Sequence, residues 1–172
     1  MQSDAGAVAL PSSIHHIGVV VEDIDKTMEF LSSIWGLGPW QTFEYVQGKE
    51  GLLAGEPFRL KVAFVKVGPT QFELLQPVEG NSVWAQFLKT NGEGVHHVAF
   101  MVPNWDEMVS HVLGHGGRMI AGGRAEAKEE AGKIMVVGSA TGMRWCYLDT
   151  KPGGIIVEFM DELGSERVAI IQ

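Results

Sequence analysis

Two histidine pairs open two similar apolar runs of this chain, in SIHHIGVVVED from Ser13 and in GVHHVAFMVPN from Gly94. Further along, each run is followed by a glutamate in an apolar stretch, Glu73 in QFELL and Glu158 in IIVEFM. A carboxylate in such surroundings is costly to bury unless something pairs with it. The separations from the second histidine of each pair are alike, 57 residues (73 − 16) and 61 residues (158 − 97). Two imidazoles and two carboxylates, His16, Glu73, His97 and Glu158, make a donor set for one divalent cation. It suits zinc, manganese, cobalt, nickel or iron(II) better than calcium, which prefers oxygen ligands alone. No two of the four are close in sequence, so the set exists only if the fold assembles it.

Strand alternation says which side chains share a face. His16, Gly18 and Val20 fall on one face of the first run, and His97, Ala99 and Met101 on one face of the second. Gly18 and Ala99 are small, which predicts open volume for a ligand beside the histidines. His15 and His96 take the opposite face and read as structural residues, so His15→Ala is expected to leave metal content near wild type, with any cost falling on stability. His111 and His115 lie on a helix and receive no chemical role.

The elements that must position these groups repeat. An offset of 81 places His15, His16, Val21, Asp25 and Gly36 on His96, His97, Val102, Asp106 and Gly117. In each copy a β-rich run leads through an acidic turn, VEDID or VPNWDE, into a helical pattern that stops at glycine. Ile24, Met28, Leu31 and Trp35 recur at helical spacing in the first copy, and Trp105, Met108, Val109 and Val112 in the second. Strand-like segments follow: FRLKVAFVKVG and TQFELLQP, then KIMVVGSATGMRWCYLDT and GIIVEFMD. NSVWAQFLKTNGEG reads as a linking helix. The expected organisation is a leader over 1–13, a first module over 14–80, a linker helix over 81–93, a second module over 94–160 and a tail over 161–172.

Bulk composition excludes several classes. A net charge of −8 with no Lys/Arg cluster offers no phosphate footprint, so nucleic acid is not an expected partner. Cys146 is the single cysteine, which precludes an intramolecular disulfide and fits a reducing cytoplasm, the expected location. The first 25 residues hold no Lys or Arg, as a secretory n-region would require, and no apolar run approaches the ~20 residues of a membrane helix. The 22 glycines predict many tight turns between short elements.

In HHIGVVVEDIDKTMEFL, LKVAFVKVGPTQFELLQP, GEGVHHVAFMVPN and GGIIVEFMD the chain resembles the vicinal oxygen chelate superfamily, its glyoxalase and methylmalonyl-CoA epimerase group, from about Ile14 to Met160. The resemblance implies an α+β fold of two pseudo-symmetric βαβββ modules, forming a curled-sheet half-barrel around a metal. It implies His16, Glu73, His97 and Glu158 as ligands of one divalent ion (Co, Mn, Zn, Ni or Fe), the same four that strand parity selects. Gln71, on the face of Glu73, would contact substrate. Epimerases carry a glutamate shortly before the LKVAF strand; Pro57 aligns there, with Glu56 one residue earlier. The candidate bases are therefore Glu158 and Glu73, loosening from the metal, and Glu56, with Glu44 and Glu50 in the same segment. The glycines of TFEYVQGKEGLLAGEPF would let residues 41–58 move over the site as a lid; the alternative is a solvated connection.

The implied function is a divalent-metal-dependent isomerase or lyase working through a stabilised enolate, most nearly a methylmalonyl-CoA epimerase. The alternatives are a glyoxalase I-like lyase acting on a hemithioacetal, an extradiol-type dioxygenase, and a metal-free antibiotic-binding protein. The implied partners are a small-molecule substrate, an acyl-CoA among the candidates, and a second copy in a homodimer. Trp35, Trp40, Trp84 and Trp105 would supply core or interface surface.

Overall fold

Alternating burial along HIGVV makes β1 (His16–Val20), with His16, Gly18 and Val20 turned to the interior. Asp23 then caps α1 (Ile24–Trp35), its side chain accepting from the backbone N–H of Lys26 at 3.1 Å. Ile24 is buried and Met28 and Leu31 pack against the same cluster, whereas Trp35 is 66 % exposed and lies off the packed face. The remaining elements are β2 (Gln41–Gln47), β3 (Leu52–Ala54), β4 (Phe58–Val67), β5 (Thr70–Glu79), α2 (Val83–Asn91), β6 (Gly94–Val102), α3 (Trp105–Gly114), β7 (Arg118–Glu130), β8 (Lys133–Gly138), β9 (Met143–Asp149) and β10 (Ile156–Asp161). This computed structural model describes residues 13–151 and 153–161. The predicted leader up to residue 12 and the predicted tail from residue 162 lie outside them, while Asp161 ends β10 and pairs with Arg144 at 2.8 Å.

One sheet holds all ten described strands, in the order β3-β7-β8-β2-β4-β5-β1-β6-β10-β9, and a further β7–β9 pairing closes it into a barrel. At its centre β1 and β6 run antiparallel, with His16 opposite Ala99 and Gly18 opposite His97. Exchanging the halves by the 81-residue offset turns each of these pairs into the other, so a pseudo-twofold passes between the two strands. The outer neighbours obey the same relation. β5 runs parallel to β1 with Glu73 beside Gly18, and β10 runs parallel to β6 with Glu158 beside Ala99.

The curled sheet is as expected, and the segment 41–58 belongs to it. The segment 41–58 contains two strands. β2 pairs along its full length with β4, and its residues 44–46 pair with β8 of the other half. β3, of the same half, also crosses, to β7. Both strands of this first-half segment thus pair with the second half, and the segment is barrel wall. Gly51 sits at the crossing: a Cβ there would lie 2.3 Å from the Ser139 carbonyl oxygen, at a φ of +70. The segment KIMVVGSATGMRWCYLDT splits into β8 and β9, and RMIAGGRAEAKEE, which carries little strand signal, forms β7.

The barrel interior is a packed core of Phe43, Leu60, Val62, Phe64, Leu75, Met143, Trp145, Tyr147 and Met160, with Trp84 of α2 inserted against Phe58, Trp145 and Tyr147. Smaller clusters lie under α1 and α3 on the outer face. No helix among the described residues is long and apolar enough to cross a membrane.

Candidate metal centre

The inner faces of β1, β5, β6 and β10 bring His16, Glu73, His97 and Glu158 together, all four buried, with one ligand atom of each within 4.8 Å of the others. The two imidazole Nε2 atoms face each other at 3.1 Å. His16 Nε2 is 3.3 Å from Glu73 Oε2 and 3.0 Å from Glu158 Oε2, and the corresponding distances from His97 Nε2 are 3.3 and 3.2 Å. Neighbouring ligands of a small divalent ion with bonds of about 2.1 Å stand about 3.0–3.4 Å apart. Both Oε2 atoms are buried and receive no N–H from the nearby rings. Two buried carboxylate oxygens left without a hydrogen bond, converging with two imidazole nitrogens, fit a divalent cation in number, spacing and chemistry.

Local sequence explains the placement. The register sets each glutamate beside the residue two places beyond a histidine, so both members of a half reach the same point. Gly18 does not leave space for a ligand, as its size suggests; the space is taken by the His97 ring. A Cβ on Gly18 would lie 1.9 Å from His97 Cε1, so the imidazole occupies the volume that the missing side chain frees. The Tyr147 ring packs on the other side, with centroids 4.6 Å apart.

Without a cation these groups are a buried cluster of mutually stabilising charges. Burial pulls the His16 imidazolium down, but the Glu73 charge and the contacts to Glu158 and Glu73 more than reverse it, to about 10. His97 is raised against its burial by the contacts and charges of Glu158 and Glu73. Burial pushes Glu73 up, and His16 and His97 hold it down at about 2; Glu158 is lowered in the same way. His96, next to the cluster, is driven down to about 3 by burial and by His97, and is neutral at ordinary pH.

The other candidates separate. Gln71 is buried and stands opposite His16 on the inner face, two positions from Glu73. Glu56 is exposed and lines a groove of about 570 Å³ between α2 and the start of β7; it neither lines the inner void nor joins the four-residue cluster. Glu44 is exposed on the outer face of β2, 3.8 Å from Arg59, and Glu50 is exposed as well. A separate void of about 50 Å³ lies within the barrel, walled by Glu73, Phe43, Tyr45, Trp84, Trp145 and Tyr147. Trp84 lines both spaces.

Several contributors escaped the sequence reading. Trp145 Nε1 donates to the Tyr45 hydroxyl at 2.6 Å, which donates to Gln47 Oε1 at 2.7 Å, so one wall of the chamber is fixed by a polar chain. The alternation of Met143, Trp145 and Tyr147 was the available signal. His15 and His96, assigned to structure, bear on the cluster directly: His15 Nδ1 lies 2.9 Å from His16 Nδ1, and His96 Nδ1 lies 3.1 Å from His97 Nδ1.

Comparison with known proteins agrees with this fold. The family model of the Glyoxalase/Bleomycin resistance protein/Dioxygenase superfamily matches residues 15–136. Mitochondrial methylmalonyl-CoA epimerase of Bos taurus is 33 % identical over 106 residues, 58 % of this chain and 52 % of that protein. The chain thus spans about half the length of the curated relatives it matches. A solved methylmalonyl-CoA epimerase in complex with methylmalonyl-CoA and NH4+ superposes with a TM-score of 0.62 at 25 % identity, covering 89 % of this chain and 95 % of the other. A single-site variant of the Streptomyces coelicolor methylmalonyl-CoA epimerase, in complex with 2-nitronate-propionyl-CoA, gives 0.61 at 26 %, over 89 % and 95 % of the two chains.

Proposed function

This chain belongs to the glyoxalase/bleomycin resistance protein/dioxygenase superfamily, and from that premise we propose that it is a divalent-metal-dependent isomerase of the methylmalonyl-CoA epimerase kind. The observation that carries the proposal is the convergence of His16, Glu73, His97 and Glu158 at one buried point. These four would hold the ion, and a bound divalent cation supplies a Lewis acid for negative charge developing on a substrate oxygen.

The protein's own groups do the rest. Among the described residues, Glu73 is the acid that lines the void and Glu158 meets it at the cluster, while β4 turns Leu60, Val62 and Phe64 inward and Glu56 lines the other groove. The carbon-bound proton therefore goes to one of these two carboxylates and returns from it or from its twin across the pseudo-twofold. Tyr45, Trp84, Trp145 and Tyr147 keep water out, which strengthens charge interactions at the reacting atoms. The void of about 50 Å³ has room for a few reacting atoms only, so the body of an acyl-CoA lies beyond Trp84, in the groove of about 570 Å³.

A second reading has one observation in its favour. With no carboxylate free of the cluster, a glyoxalase-like lyase in which a ligand carboxylate moves the proton needs the same parts and no others. Deuterium wash-in at the α-carbon of methylmalonyl-CoA, run beside turnover of methylglyoxal hemithioacetal on cobalt-loaded protein, separates the two. Exchange with the thioester is the expected result. Turnover of the hemithioacetal alone transfers the assignment to the lyase. Protein that retains no metal and acts on neither substrate defeats both.

A further inference from the structure

Each cation-facing imidazole is backed by the histidine that precedes it. The contacts His15 Nδ1 to His16 Nδ1, at 2.9 Å, and His96 Nδ1 to His97 Nδ1, at 3.1 Å, are copies of each other under the 81-residue offset. A neutral imidazole has one N–H and one bare nitrogen. To bind a cation through Nε2, His16 and His97 must carry their protons on Nδ1. The nitrogens facing those protons are then obliged to be acceptors. With the opposite polarity, both Nε2 atoms would carry hydrogens aimed at each other across 3.1 Å, and no cation could sit there.

We infer that His15 and His96 are positioning residues: each accepts a hydrogen bond from the Nδ1–H of the following histidine and so holds both cation-facing imidazoles in the tautomer with a bare Nε2. This rests on the reading of the cluster as a metal centre. Both backing residues are held firmly. The His15 N–H donates to the Ala99 carbonyl at 2.8 Å and its carbonyl accepts from Gln71 at 3.2 Å, which pins it between β6 and β5. The His96 ring sits among Phe87, Tyr147 and Trp84, with centroids 5.1, 5.5 and 6.3 Å away. A histidine pair, unlike a lone histidine, therefore brings both the ligand and the group that orients it, and the recurrence of the pair in each half has a chemical reason.

The test begins on the unaltered protein. Ring-nitrogen NMR of zinc-loaded, 15N-histidine-labelled chain should find His16 and His97 protonated at Nδ1, and His15 and His96 protonated at Nε2. The reverse pattern for the backing pair overturns the inference. Zinc titration of His96→Leu should then show affinity about 10- to 100-fold weaker than wild type. His96→Asn, whose amide oxygen can take the acceptor's place, should recover most of that loss. Unchanged zinc affinity in His96→Leu, or equal loss in the Leu and Asn variants, also overturns it. Should His96→Leu fail to fold, the NMR pattern and the Asn variant still decide. Wild-type protein that binds no zinc defeats the metal reading itself, a different failure seen before any variant is made.

Discussion

The two halves of the barrel bring the same four-part arrangement to the centre, a backing histidine, a ligand histidine, a small residue and a glutamate, but under different conditions. In the first half the small residue is Gly18 and the backing His15 is partly exposed; in the second they are Ala99 and the buried His96. The glycine is needed because the His97 ring lies over β1, whereas a methyl group is accommodated at Ala99, which is fully buried. The symmetry is therefore chemical and not steric: both halves present like atoms to the centre of the cluster, and the second half's imidazole leans across the first half's strand to do so.

The largest expected effect comes from forcing that lean to reverse. Gly18→Ala puts a Cβ 1.9 Å from the His97 ring, which must swing away and take Nε2 with it. Its zinc affinity should fall as far as that of His97→Ala, and further than the roughly 10- to 100-fold expected when only an orienting partner is lost. The mirrored change, Ala99→Gly, should cost about 0.5–1 kcal/mol of stability and leave zinc affinity near wild type. Equal losses at the two positions, read by zinc titration beside thermal unfolding, would make the halves sterically equivalent after all.

Next in size is the contrast between the backing histidines. His96 lies in an aromatic wall where nothing replaces a lost acceptor, while water can reach the place of His15. His96→Leu should therefore weaken zinc binding more than His15→Leu. A larger loss at His15 would mean that its backbone position between β5 and β6, and not its ring, carries the effect.

A smaller effect appears when the metal is stripped. His16 titrates at about 10 in the folded chain against 6.5 in the reference state, so its contribution is complete below about 6.5 and is lost as pH rises through 10. Glu73 titrates at about 2 against 4.5, so its contribution is complete above about 4.5 and is lost as pH falls through 2. Chelated protein should therefore be most stable between about 4.5 and 6.5 and soften on the alkaline side. Zinc, which needs bare imidazoles, should restore Tm most at the alkaline end. Parallel Tm profiles with and without zinc would contradict the cluster described here.

What the sequence disclosed, and what it withheld, divides along local and non-local lines. The helices were legible because Ile24, Met28 and Leu31 recur at their own spacing beside an Asp23 cap, and the convergence of His16, Glu73, His97 and Glu158 because alternation and the repeat are local rules applied twice. β2, β3 and β7 were not legible, and β8 was read only as one run with β9. β7 turns Ala121, Gly123 and Ala125 inward because Trp145 and Tyr147 fill the barrel from β9, so its residues are poor strand formers chosen by a distant neighbour. β2 and β3 find partners in the opposite half, and the glycines that suggested a lid instead permit the crossing at Gly51. The bond between successive histidines was hidden by alternation itself, which sends neighbours to opposite faces and gives no hint that two rings can meet.

The smallest expected effect bears on the segment that departs most from its sequence reading. Glu56 would be the proton acceptor if residues 41–58 folded over the cluster; instead β2 and β3 hold that segment in the wall, and Glu56 projects into the outer groove with Arg118, Gln86 and Thr90. Glu56→Gln should leave zinc affinity and the maximal rate of α-proton exchange within about twofold of wild type, a surface change worth under about 0.5 kcal/mol. An altered KM with that rate unchanged would place the body of the substrate in the groove. A collapse in the exchange rate would mean that the wall opens and that Glu56 reaches the reacting carbon. The proton would then no longer belong to the ligand carboxylates, and the two halves would differ in chemistry as well as in packing.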